Sequence, residues 1–214
     1  LTVIRDTTEQ RAAESALHAL VAGMVGTTGM ESLDRIAESI NAWLLADCIM
    51  IGELTPDREH IRVLSMLLDG KKISGYSYAL KGTPCENTAR NGFCLFPDNA
   101  AQLFPESRDL FEFNIRGYAG TTLRNTDGQV VGILCILSRA PINLPPFARE
   151  IIEIIAAKAA AEIGRMNALK ALSESEEKFR ALVEHSLDGT LILDPGGTIL
   201  FANHAAGRFI GIED

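Results

Sequence analysis

The chain has 214 residues, a formal net charge of −8 and 47% hydrophobic residues, the size and balance of one full domain with appendages. The acidic excess, with no basic block, argues against nucleic-acid binding; no apolar run reaches the roughly 20 residues of a membrane span, so no membrane contact is expected, and no secretory leader opens the sequence. Cys48, Cys85, Cys94 and Cys135 are widely spaced, with neither a Cys-x-x-Cys pair nor a nearby His to complete a zinc set, so no metal site is expected and a reducing, cytoplasmic setting fits.

At the head, Val3-Ile4-Arg5-Asp6-Thr7-Thr8-Glu9-Gln10 reads as a strand running into a helix, with Asp6 and Glu9 at the spacing of a cap and its reciprocal acid. This stretch is similar to the last strand and exit of a PAS domain, so residues 1–8 are expected to end such a domain. A linker helix is then expected over residues 9–28, with Leu17, Leu20, Val21 and Met24 on one stripe and the breaker cluster Gly26-Thr27-Thr28-Gly29 at its end. A second helix carries Leu33, Ile36, Ala37, Ile40 and Leu44, with Trp43 close to that face.

The period then becomes extended. Cys48 to Leu54 and Ile61 to Leu68 predict a hairpin around Thr55-Pro56-Asp57, and Ile73 to Leu80 predicts a third strand. Pro84 stands at the first turn of a short helix, Phe93 to Phe96 forms a brief strand and Ser107 to Phe113 a second short helix, an irregular stretch read as cover rather than core. Tyr118 to Arg124 leads through Asn125-Thr126-Asp127-Gly128 into Val130 to Leu137, a hairpin whose two apolar strands should be central in an antiparallel sheet. Pro146 is placed to open a long Pro-free helix running to about Phe179.

This layout resembles a GAF domain. The specific likeness lies in LKGTPCENTARNGFCLFPDNAAQLFPESRDL, from Leu80 to Leu110, and RGYAGTTLRNTDGQVVGILCIL, from Arg116 to Leu137. The resemblance spans residues 29–164 and implies an α+β fold. It has a central antiparallel sheet of about six strands, N- and C-terminal helices on one face, and an irregular helical cover over a pocket on the other. For that pocket it implies aromatic walls from Tyr76, Tyr78, Phe93, Phe96, Phe104 and Tyr118, orienting groups from Arg90, Asp98 and Thr121, and Cys85 among them.

The ligand stays unknown, and a small molecule competes with simple ring packing as the occupant. The Asn-Lys-x-x-Phe signature of cyclic-nucleotide readers does not occur, which disfavours cyclic nucleotides. Cys85 is followed by Glu86 rather than His, which disfavours a bilin; His18, His60, His185 and His204 lie outside the Thr83–Thr121 cover, which disfavours a His-ligated haem. Cys85 beside Pro84 could be a poised thiolate at a helix start, or a packed core thiol with Glu86 working against ionisation.

From residue 147 to 180 a signalling helix is expected, with Ile152, Ala156, Ala159, Ile163 and Met166 forming the seam of a homodimer; the same stripe could instead cover the chain's own sheet, and both can hold if the first part packs on the sheet while a second stripe meets another subunit. Beyond it, Phe179, Leu182 and Val183, the run Leu191-Ile192-Leu193, the turn Asp194-Pro195-Gly196-Gly197, the return Ile199-Leu200-Phe201 and Asn203 before a helix resemble the opening of a second PAS domain over 181–214. So short a piece is expected to be partly disordered or held by a neighbour.

Together the resemblances imply a non-catalytic sensor segment of a longer signalling protein, one ending in a histidine kinase or a cyclic-di-nucleotide enzyme. A ligand-free dimerisation spacer is the alternative. A small thiol-dependent reductase using Cys85 and Cys94 is a third reading.

Overall fold

The computed structural model describes residues 26–211; the expected PAS exit and all but the last residues of the linker helix lie outside the described residues. The chain divides after Arg165 into two compact units.

In the first unit, helix α1 (Met30–Leu44) buries Leu33, Ile36, Ala37 and Ile40 at helical spacing and stops where Leu45 turns left-handed at φ 50°. Strands β1 (Cys48–Leu54) and β2 (His60–Leu68) follow as the expected hairpin. The single strand expected from Ile73 to Leu80 is two, β3 (Lys71–Ile73) and β4 (Ser77–Ala79), both paired to β2. Gly75 between them has φ 74°, a left-handed turn that interrupts the extended run.

Next come α2 (Pro84–Asn91), β5 (Phe93–Phe96), the one-turn helix α3 (Ala100–Leu103), α4 (Arg108–Glu112), β6 (Gly117–Arg124) and β7 (Val130–Ser138). The sheet order is β3-β2-β1-β7-β6-β5, with β4 also on β2 and every pair antiparallel. The β6–β7 hairpin is central, as its apolar runs demand. Asn125 organises its turn: Oδ1 accepts from the N–H groups of Asp127 and Gln129, while Gly128 supplies φ 77°. Strand β5 departs from the reading as cover, because it pairs with β6 and becomes the edge of the sheet.

Alternation sorts the two faces. Cys48, Met50, Tyr118, Ile133, Cys135 and Leu137 point to one, where Leu80, Ala100, Leu110 and Ile115 from the irregular segments close over them. Ile49, Ile51, Ala119, Leu134 and Ile136 occupy the alternate positions. Helix α1 lies on that second face: its Asp34 accepts from Ser65 Oγ at 2.7 Å, and Ser65 stands opposite Ile51.

Helix α5 (Ala148–Glu184) is 37 residues long, and the Gly29 N–H at the start of α1 donates to its Glu162. Pro146 does not open α5; the chain first reverses at Phe147, which has φ 61°, and the helix starts one residue later. Of the two roles open to the stripe from Ile152 to Ile163, the structure shows the cover of the chain's own sheet and not a free seam. Ile152, Ala156, Ala159 and Ile163 are buried within this single chain, with Met166 partly exposed, so these side chains belong to the domain's own core. Spacing of three and four marks a helix stripe, but not what covers it.

In the second unit the end of α5 is followed by β8 (Leu191–Leu193), β9 (Ile199–Ala202) and α6 (His204–Ile210), and β8 pairs with β9. Asp194 fixes the hairpin turn by accepting from the Gly196 and Thr198 N–H groups. Asn203 caps α6 and is fully used: its oxygen accepts from Thr190 and Ala206, and its amide donates to the Val183 and Asp188 carbonyls. The hairpin leaves Leu191, Ile192, Leu193, Ile199 and Leu200 exposed. No described helix is long and apolar enough to cross a membrane.

Candidate functional site

The cover face holds two aromatic groups that meet at one sulfur. Phe104 and Phe96 stack edge to face with centroids 4.9 Å apart, and Phe96 lies 6.0 Å from Tyr118. On the other side Phe113, Tyr76 and Tyr78 form a tilted series at 6.4 and 6.0 Å. Between them Cys85, in the first turn of α2, accepts from Tyr78 Oη at 3.1 Å and from Tyr118 Oη at 3.4 Å. With its own hydrogen directed at Cys85, Tyr118 Oη accepts from Thr88 Oγ1 at 2.7 Å, and the Thr88 hydroxyl hydrogen is shared between Tyr118 and the Pro84 carbonyl at 3.1 Å.

Backbone geometry makes room for this. The Tyr118 phenol lies across Gly120, two residues on along the same strand face, and a Cβ at Gly120 would collide with its oxygen. The rings and the cover leave a cavity of about 20 Å³, lined among others by Met50, Tyr78, Cys85, Asp109, Phe113 and Tyr118. That is room for a molecule about the size of water. Tyr76 Oη, whose ring packs on Tyr78 and Phe113, is buried with no hydrogen-bond partner among the described residues. Burial foremost, then the nearby Asp109 carboxylate, the acceptor closest to serving that hydroxyl although short of hydrogen-bond geometry, and Glu112 keep the phenol protonated.

The electrostatics divide the thiols. Cys85 is held below the ordinary cysteine value, foremost by the hydrogen bond from Cys135 and then by those from Tyr118 and Tyr78, against the opposing effect of burial. Cys135 is correspondingly pushed well up, because its hydrogen serves Cys85 and because it is buried. Burial pushes Cys48 up to about 12. Glu86 does not oppose a Cys85 thiolate as its sequence position suggested: its carboxylate is turned to the Gly82 N–H and to Arg90.

Of the expected pocket residues, the structure gathers Tyr76, Tyr78, Cys85, Phe96, Phe104 and Tyr118 on the cover face. Four others are elsewhere. Arg90 is exposed and pairs with Glu86 at 2.5 Å, one helical turn away. Asp98 makes a two-pronged ion pair with Arg116, at 2.9 and 2.7 Å, outside the cavity. Phe93 and Thr121 stand opposite each other in the β5–β6 register, one step out of phase with Phe96 and Tyr118, and so point to the helix-bearing face. There the Arg149 guanidinium lies 5.0 Å from the Phe93 centroid, beside an open cleft of about 320 Å³ that Phe93, Thr121, Arg124 and Glu153 help to line.

Sequence reasoning missed Thr88 and Cys135. Thr88 follows Cys85 by three residues on a helix, the spacing of one face, and was a legible signal; Cys135 needed the register.

Compared with known proteins, the sequence matches the profile of the GAF domain family over residues 30–163 and that of the PAS domain over 177–214. No curated protein matches it in sequence. Among solved structures it is similar to the GAF domain of an Acinetobacter phosphoenolpyruvate-protein phosphotransferase. The TM-score is 0.62 at 15% identity, covering 75% of this chain and 98% of that one. It is also similar to a protein solved in its far-red absorbing dark state with bound biliverdin IXa, with a TM-score of 0.57 at 12% identity, covering 70% of this chain and 98% of that one.

Proposed function

Because the chain belongs to the GAF domain family, a family of small-molecule-sensing signalling modules, we propose that it is a sensory relay segment acting as a homodimer. In this reading the cavity around Cys85 receives a compact stimulus, and α5 carries the response toward the PAS-like region and an output domain such as a histidine kinase or a cyclic-di-nucleotide enzyme. The segment itself regulates rather than turns over substrate. Its four free thiols fit the reducing cytoplasm.

The observation that carries the reading is the composition of α5. One unbroken helix has its first half in the core of the GAF domain, through Ile163, and then carries exposed Leu169, Leu172 and Phe179. With Glu176 and Val183 these follow one another at intervals of three and four residues, the seam of a two-stranded coil, interrupted only by Glu176. A second copy of the same helix is the occupant with matching periodicity. A stimulus that favours one arrangement of the pair would thereby be transmitted.

A large preformed ligand, such as a tetrapyrrole, has no room in a cavity of about 20 Å³ unless the cover moves. Sedimentation equilibrium tests the relay: the wild type should be a dimer at micromolar concentration, and Leu172→Glu should shift it to monomer by placing a charge in an apolar seam, with little change in melting temperature. A wild type that stays monomeric at high micromolar concentration overturns the homodimer.

A further inference from the structure

The register aligns sulfur across the sheet. On the cover face Cys94 stands opposite Gly120, Gly120 opposite Cys135, Cys135 opposite Met50 and Met50 opposite Met66. Gly120 has no side chain, and the Tyr118 phenol fills the space above it. Cys85 Sγ lies within 3.4 Å of that same phenol oxygen, which places it over the Gly120–Cys135 step. Both thiols are buried. Cys85 accepts from two tyrosine hydroxyls, donors that favour the thiolate, and it has a second thiol on the strand below it and a water-sized cavity at its side.

We propose that Cys85 and Cys135 are a hydroperoxide-reactive thiol pair, with Cys85 the attacking and Cys135 the resolving sulfur. The Cys85 thiolate attacks the distal oxygen of a small hydroperoxide; the O–O bond breaks, the leaving oxygen takes a proton and departs as water or alcohol, and Cys85 becomes a sulfenic acid. Cys135 sulfur then attacks Cys85 sulfur, the S–O bond breaks, and the hydroxide leaves as water with the Cys135 proton. In sum two thiols and one hydroperoxide give a disulfide, one alcohol or water and one water; two electrons pass from sulfur to the peroxide oxygens.

The bond joins α2 of the cover to a central strand and removes the thiolate to which Tyr78 donates, so the cover is disturbed where it meets the sheet. This identifies the stimulus class for the cavity and rests on the proposed sensory reading for its consequence, though not for its chemistry.

The test uses the reduced chain, treated with stoichiometric hydrogen peroxide at neutral pH and followed by intact mass and peptide mapping. The expected result is a loss of two hydrogens, a peptide joining Cys85 to Cys135, reversal by dithiothreitol, and oxidation of Cys85 roughly tenfold faster than the more exposed Cys94. Cys135→Ala should instead accumulate oxygen on Cys85. With the fold verified by circular dichroism, an unmodified Cys85 in native protein, or a disulfide through Cys94, overturns the proposal. Should the bond form without altering α5 self-association, the thiol chemistry stands and the relay falls. Should no bond form while another small molecule alters that association, the reverse holds.

Discussion

The two faces of the sheet are built from the same strands and do opposite work. The face under α1 and α5 is sealed mainly by aliphatic side chains, among them Leu33, Ile36, Ile152, Ile155, Ala159 and Ile163. The face under the cover interleaves sulfur, phenol and hydroxyl groups at Cys85, Cys135, Tyr78, Tyr118 and Thr88, each held by a specific partner. The polar groups thus gather on one side of the sheet and the aliphatic packing on the other, where α5 contributes Ile152, Ile155, Ala159 and Ile163.

The largest effect that would break this contrast is on the packed face. Ile152→Ala removes a fully buried side chain and should cost about 2–5 kcal/mol of folding stability, measured by denaturant titration, while leaving self-association intact. Loss of association with unchanged stability would mean that Ile152 meets another subunit after all.

Next in size is Gly120→Ala on the cover face. Alanine would ordinarily suit a strand better than glycine, but here its Cβ meets a buried tyrosine that cannot swing aside. A loss of about 1–3 kcal/mol is expected, with slower Cys85 alkylation because the Tyr118 oxygen is displaced. A neutral or stabilising outcome would show that the ring is free to move.

Much of this fold was legible because burial imposes period. Strand β1 and the β6–β7 hairpin fall where alternation and turn chemistry predict them. Faces were harder to read. Phe93 and Phe96 lie on one short strand and point in opposite directions, and only the pairing of β5 with β6 decides which of them meets Tyr118. Likewise the α5 stripe is visible in the sequence, but a helix stripe covers a sheet and a partner equally well, so the pattern alone does not decide which of the two Ile152 and Ile163 meet. Arg90 and Asp98 are each held by an opposite charge: Glu86 stands one helical turn before Arg90, a spacing visible in the sequence, whereas Arg116 reaches Asp98 only through the approach of the segments around β5 and β6.

A smaller change sharpens the polar side of the comparison. Tyr118→Phe keeps the ring and removes one donor to Cys85 and the bond to Thr88. Thr88 still has the Pro84 carbonyl, so the loss should be about 0.5–1.5 kcal/mol. The more telling readout is chemical: with one donor fewer, the Cys85 thiolate is less favoured, and its alkylation at neutral pH should slow while that of Cys94 is unchanged. Equal rates in both proteins would remove Tyr118 from the account of Cys85.

The smallest effect belongs to the ion pair that fastens the cover edge, where Asp98 after β5 grips Arg116 before β6. The hydrogen bonds from Arg116 hold the Asp98 carboxyl below its ordinary value. A group whose value is lower in the folded than in the unfolded chain contributes stability above the unfolded carboxylate value of about 3.9, and loses it as pH falls through the lowered folded one. Asp98→Asn should therefore lower the melting temperature slightly at neutral pH, and the difference from wild type should vanish on acidification. Because the pair is solvent-accessible, added salt should also shrink it. A difference that persists unchanged in acid would mean that Asp98 acts through its backbone contact with the Asn99 N–H or through shape, and not through charge.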